Sequence, residues 1–277
     1  MRKKDLIHYQ IHTDLAIEKK RSCNESYITL AFEDLSDIDS QKNLTRKFAK
    51  ALKKMMNALE IKLEDKCLII GLGNPNSTPD ALGPCIVAEI LVTAHLFNLA
   101  SLIVHQRYRN VAALAPGVTS ETGIETFKMI EALVKKTKPD FLIVIDALVA
   151  KSLKRLNHVI QLTTSGITPG SGLGGGDKGI NQKTLGLPVI AIGVPTVVGA
   201  NVIVKDTLDY LVDQFPNDNN LKKFDKMSEN ELINLLDNIL KPLSYSLMVT
   251  PKDIDFMVKK LALIIAKGIN ETLHQKR

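Results

Sequence analysis

Tryptophan is absent from this 277-residue chain, and aromatic residues make up only 5% of it. So few flat rings argue against a platform on which nucleic-acid bases stack. Cysteine is scarce as well. Cys23, Cys67 and Cys85 follow no CxxC or finger spacing, which excludes a disulfide framework or a zinc knuckle and fits reduced thiols in a reducing compartment. No apolar run approaches the ~20 residues of a membrane span. The opening MRKKDLIHYQ lacks the apolar centre of a signal peptide. A net charge of +6, from 36 basic and 30 acidic residues, describes a solvated lysine-rich surface; a preference for acidic partners is the sharper alternative, which charge alone does not establish. The expectation is a soluble, cytoplasmic protein with no membrane contact and no direct contact with nucleic acid.

What is present is core. Hydrophobic residues reach 45%, enough for one large α/β domain. The stretch Cys67–Leu82, CLIIGLGNPNSTPDAL, organises the rest. Cys67–Leu72 has the length of a buried strand and ends in a Gly71-x-Gly73 turn. Ile86, Val87, Ile90, Leu91 and Phe97 then recur at helical spacing. Strand, turn, loop and helix are the opening unit of a parallel sheet, which places its sites at the carboxyl ends of its strands. Phe141–Val149 (FLIVIDALV) reads as a second buried strand in which Asp146 is the one polar residue, and Pro188–Val194 as a third. Further strands are expected at Ser26–Phe32, at Ser101–Tyr108 and, as an edge, at His158–Thr163. Helices are expected over Asp39–Ile61, Thr122–Lys136, Asn201–Val212, Glu229–Leu240 and Thr250–His274. In the last, Thr250, Pro251 and Asp253 form a start signal. Gln214–Lys226 reads as a linker. The predicted fold is α/β, a mostly parallel central sheet with helices on both faces.

Several chemistries fail on the residues. A dinucleotide fingerprint needs a third glycine where Asn76 stands. GLGNP is similar to the opening of bacterial peptidyl-tRNA hydrolases, but Ser77–Pro84 supplies neither the histidine nor the asparagine those enzymes use. No serine sits in a Gly-x-Ser-x-Gly elbow. Two aspartates remain. Asp80 lies just before a helix, where it could serve as its cap. Asp146 is harder to explain structurally, because an ionised carboxylate in an apolar strand is costly unless it is paired, bound to metal or at the strand's wet end. If the strands are neighbours, the two acids open onto one crevice and share a proton, which suits water activation and protonation of a leaving amine. The glycine-rich run Ser165–Gly179 is backbone that could approach a substrate closely, with Ser165, Gly166 and Gly170 as candidate contacts. Arg109, past the expected strand end, is a candidate for reading an acidic substrate residue.

The segments GLGNPNSTPDALGP (71–84), APGVTSETGIET (115–126), KPDFLIVIDALVA (138–150), SGITPGSGLG (165–174), LGLPVIAIGVPTVV (185–198) and LMVTPKDID (247–255) resemble the germination protease of spore-forming Firmicutes. HTDLAIE (12–18) is similar to that family's processing site. The resemblance implies an endopeptidase that starts the breakdown of small acid-soluble spore proteins in the spore core. It implies a zymogen that processes itself between Asp14 and Leu15, so that residues 1–14 are a pro-segment and 15–277 one α/β peptidase domain. It also implies a homotetramer, a fold like that of the hydrogenase maturation proteases, and catalysis by Asp80 and Asp146. The sequence departs from the family pattern at Thr168, in place of a histidine, and at Gly199, in place of an aspartate. The first removes a possible third metal ligand and favours a mechanism with no metal or other cofactor. Two alternatives stand beside the endopeptidase: a non-catalytic family member that only binds its partner, and a metal-dependent, maturation-type peptidase.

Overall fold

Eight strands form one mixed sheet in the computed structural model, which describes residues 15–19, 26–99, 107–170, 178–218, 221–225, 227–240 and 247–274. In chain order the strands are β1 (Leu15–Lys19), β2 (Ser26–Ala31), β3 (Cys67–Gly71), β4 (Val111–Leu114), β5 (Phe141–Ala150), β6 (Val159–Thr163), β7 (Val189–Gly199) and β8 (Met248–Val249). The helices are α1 (Ile38–Ala58), α2 (Leu82–Ala88), α3 (Thr119–Thr122), α4 (Thr126–Thr137), α5 (Gln182–Leu185), α6 (Ala200–Gln214), α7 (Lys222–Asp225), α8 (Glu229–Leu240) and α9 (Ile254–Leu273). The sheet order is β1-β2-β6-β7-β5-β3-β4, with β8 pairing the far end of β7. The pairs β4–β3, β3–β5 and β5–β7 are parallel, and β6, β2 and β1 extend this core as an antiparallel flank.

The alternation of each central strand sorts its side chains onto two cores. Ile69, Phe141, Ile143, Ile190 and Ile192 pack under α1, α2 and α9. Leu68, Ile70, Leu142, Val144 and Val189 pack against Phe127 and Ile130 of α4 on the opposite face. Helices therefore cover both faces, as the sequence predicts. α1 starts where Asp37 accepts from the amides of Asp39 and Ser40, both at 2.8 Å, which satisfies two of the helix's orphan donors. α9 crosses α1 closely: a Cβ on Gly268 would come within 2.5 Å of the Phe48 ring.

Four expectations change. The helix expected to run through Phe97 stops at Ala88, because Asn270 on α9 donates to the Glu89 carbonyl (3.0 Å) and accepts from the Leu91 amide (2.9 Å), capping that end from outside. The expected strand Ser101–Tyr108 falls mostly outside the described residues, and the strand beside β3 is Val111–Leu114. β6 is no edge; it lies between β7 and β2. Thr250 does not cap the last helix, since its hydroxyl donates instead to the Thr196 carbonyl (2.8 Å) and the helix begins at Ile254. Among the described residues no helix is long and apolar enough to cross a membrane.

Candidate active site

The parallel ladder runs one residue past β3: the Leu72 amide donates to the Ile145 carbonyl at 2.8 Å. The chain must then turn sharply over the sheet. Gly73 makes that turn with φ +117°, and a Cβ on it would sit 1.9 Å from the Asp80 carbonyl oxygen. No residue with a side chain fits there. The first turn of α2 is pressed equally close, with Gly71 and Gly83 packed backbone to backbone. These contacts fold the loop Asn74–Asp80 back on itself and set Asp80 at the carboxyl end of β3. Asp80 caps no helix. It ends the single turn Thr78–Asp80, and its Oδ2 accepts from the Asn74 amide at 2.8 Å.

Asp146 follows Ile145 directly, so the same ladder brings the two acids together. It stands opposite Gly193 of β7, on the sheet face that carries Leu142 and Val144. Its Oδ1 accepts from the Ala147 amide at 2.9 Å. Burial raises the pKa of both carboxyls, and the charge of Asp80 raises Asp146 further, to about 7, against the opposing pull of the Ala147 amide. Asp80 is less deeply buried, and the Asn74 amide opposes its rise by stabilising the ionised form. Burial first, and the charge of ionised Asp80 second, keep the proton on Asp146 up to about pH 7.

A base and an acid side by side, one just past the end of β3 and one within β5, can act together on a water molecule without a nucleophilic side chain. Among the described residues no three His, Cys, Asp or Glu side chains stand together so as to hold a metal ion. Across the chain, a sequence model of the germination protease family matches residues 3–226 and 216–277. The chain belongs to the germination protease family. The protease is 40% identical over 287 residues to the germination protease of Bacillus velezensis, covering 90% of this chain and 78% of that one. It is 41% identical over 288 residues to that of Oceanobacillus iheyensis, covering 91% and 78%. Among solved structures it matches a NiFe hydrogenase maturation protease from Thermococcus kodakarensis, at 14% identity and a TM-score of 0.38, over 79% of this chain and 98% of that one.

The other expected site residues lie elsewhere. Arg109 precedes β4 at the amino end of the sheet and is 4% exposed. Its Nη1 donates to the Asp65 carbonyl (2.6 Å), and its guanidinium lies 5.3 Å from the centre of the Phe141 ring. Phe141 is five residues before Asp146, about 17 Å along an extended strand. Arg109 thus fills the floor of the sheet, and the structure does not bring it to the aspartates. Ser165 shares hydroxyl hydrogen bonds with Tyr27 (2.7 Å) and Thr163 (2.8 Å), which tie the glycine-rich loop to the antiparallel flank. Gly166, with φ +82°, lies against the Ile180 carbonyl at the base of that loop. Gly170 is the last residue before 171–177, which lie outside the described residues.

Asp14 is also outside them, and Leu15 opens β1. Residues 15–19 form the outermost strand of the sheet. Their backbone pairs with β2 from Leu15↔Leu30 to Lys19↔Ser26, at the sheet edge four strands from β5. Two residues outside the sequence-based candidates border the Asp80 loop: Asn76 within it and Glu121 on α3, joined by a hydrogen bond of 3.0 Å. Both lie inside motifs that carry the family resemblance, which is the one signal that marks them in the sequence.

Proposed function

We propose that the protease is an endopeptidase in which Asp80 and Asp146 activate a water molecule between them. The observation that carries this reading is the register of β3 against β5, which sets two buried acids of unlike environment beside each other. In the first step ionised Asp80 takes a proton from the water, whose oxygen bonds to the scissile carbonyl carbon while Asp146 protonates the carbonyl oxygen. In the second, the proton on Asp80 passes to the amide nitrogen, the C–N bond breaks, and a hydroxyl proton returns to Asp146. The pair ends as it began, with one carboxylate and one acid.

The family relationship supports small acid-soluble spore proteins as substrates, the spore core as the place of action, and a homotetrameric assembly. It also supports maturation by a cut between Asp14 and Leu15 that removes residues 1–14 from the peptidase domain. The decisive experiment is cleavage of a spore-protein substrate by wild type, Asp80→Asn and Asp146→Asn, with circular dichroism as the folding control. Each variant should lose at least about 1,000-fold in rate, because removing either half of a cooperating pair costs nearly as much as removing both. Near-wild-type turnover by either folded variant would refute the pair.

A further inference from the structure

A chain of hydrogen bonds leaves Asp80 for a part of the fold distant in sequence. The Asn74 amide donates to Asp80, the Asn74 side chain accepts from the Asn76 amide at 2.7 Å, and Asn76 Nδ2 donates to Glu121 Oε1 at 3.0 Å. Glu121 stands on α3, in the connection between β4 and α4. The loop that bears Asp80 is therefore held on one side by the backbone of Gly73 and on the other by a carboxylate 45 residues further along.

We propose that Glu121 is a positioning residue of this active site, anchoring the Asn74–Asp80 loop through Asn76 and bringing its charge within reach of Asp80. The inference deepens the paired-aspartate reading and rests on it for its effect on rate. The charge of Glu121 raises Asp80, which makes Asp80 the stronger base toward water. Other elements packed on the Asp80 turn are α2, β5, β7 and α9. β7 has no ionisable side chain, β5 brings Asp146, α2 brings Cys85, and α9 brings Asp255, Lys259, Lys260, Lys267 and Glu271. Of these and Glu121, only Glu121 shifts Asp80 through its charge. Glu121 and Asn76 are both exposed, so the hydrogen bond fixes position while the Coulomb effect is open to screening by salt.

Two substitutions separate anchor from charge. Glu121→Gln keeps an oxygen for Asn76 to donate to and removes the charge. It should shift the acid limb of the pH–rate profile to lower pH with KM unchanged, and added salt should move the wild type the same way. Glu121→Ala and Asn76→Ala release the loop and should lower kcat about tenfold, again with little change in KM. The Asp80 carboxyl is followed in parallel by carbon NMR in the Asp146→Asn protein, where no turnover is needed. A lower Asp80 midpoint in Glu121→Gln supports the inference; an unmoved midpoint, or full kcat in both alanine variants, overturns it. If the midpoint moves and the rate profile does not follow, the link between Glu121 and Asp80 stands and the aspartate pair is removed from catalysis.

Discussion

Leu72 and Ile145 are joined by a backbone hydrogen bond of 2.8 Å one residue beyond the end of β3, and this bond sets the register of the two acids. Asp146 comes next on one strand, and the Gly73 turn that returns Asp80 comes next on the other. The carboxylates are thus placed by main chain, and their side chains can change with little effect on the frame.

The first expected outcome concerns the coupling. Asp80→Asn removes the charge that holds the proton on Asp146, leaving burial as the main cause of its raised pKa. The Asp146 midpoint should fall below about 7, followed by NMR of its carboxyl carbon. A midpoint unchanged in the variant would mean that burial alone sets it. In the wild type, activity should decline as pH rises through about 7, where Asp146 loses the proton the reaction needs.

Stability should follow the same group with the sign of a raised acid. The unfolded chain releases this proton near pH 4, the folded one near 7. The stability that comes from protonated Asp146 is complete below about pH 4 and is lost as pH rises through about 7. Asp146→Asn has no proton to lose. Its melting temperature should gain on wild type between pH 4 and 8, by on the order of 5 °C. Parallel curves across that range in thermal melts would refute the assignment.

Chelation should leave the protease active. Two carboxylates hold a transition metal poorly, and Thr168 adds no imidazole in the glycine-rich loop. Prolonged dialysis against a chelator, followed by the cleavage assay, checks this. Activity that disappears and returns with added zinc or nickel would favour the metal-dependent reading.

Arg109→Ala should affect the fold and spare specificity. It deletes a buried cation, its hydrogen bond to the Asp65 carbonyl and its contact with Phe141. A loss of about 2 to 3 kcal/mol is expected in denaturant titration. KM for peptides with an acidic residue beside the scissile bond should change no more than KM for neutral ones. A selective rise would return Arg109 to substrate recognition.

The sequence shows most plainly those elements that are buried on two sides. β3, β5 and β7 read as unbroken apolar runs because both faces of each strand are covered, and α1 and α9 because their stripes meet that core. Asp146 was legible because it interrupts such a run. What escaped depends on partners far away in the chain. Nothing near Ala88 signals that α2 ends there, since its cap is Asn270. Nothing near Arg109 reveals Phe141 beneath it. The Asn76–Glu121 contact joins two polar loops, where neither periodicity nor turn chemistry carries a long-range signal. The placement of β6 inside the sheet follows from β2 lying beyond it, a choice of topology that alternation leaves open.

If the chain matures by a cut between Asp14 and Leu15, as proposed, the edge position of β1 makes that cut a question of timing. With neighbouring strands about 4.8 Å apart, Leu15 in its ladder lies roughly 19 Å across the sheet from Asp146. A chain that cuts its own Asp14–Leu15 bond must first peel β1 away from β2, giving up a five-residue ladder before any chemistry begins. The delay is then an unzipping time, independent of protein concentration and tunable by substitutions in β1 and β2 that never touch the aspartates. In that arrangement the edge of the sheet works as a clock, and the crevice only registers when it has run down.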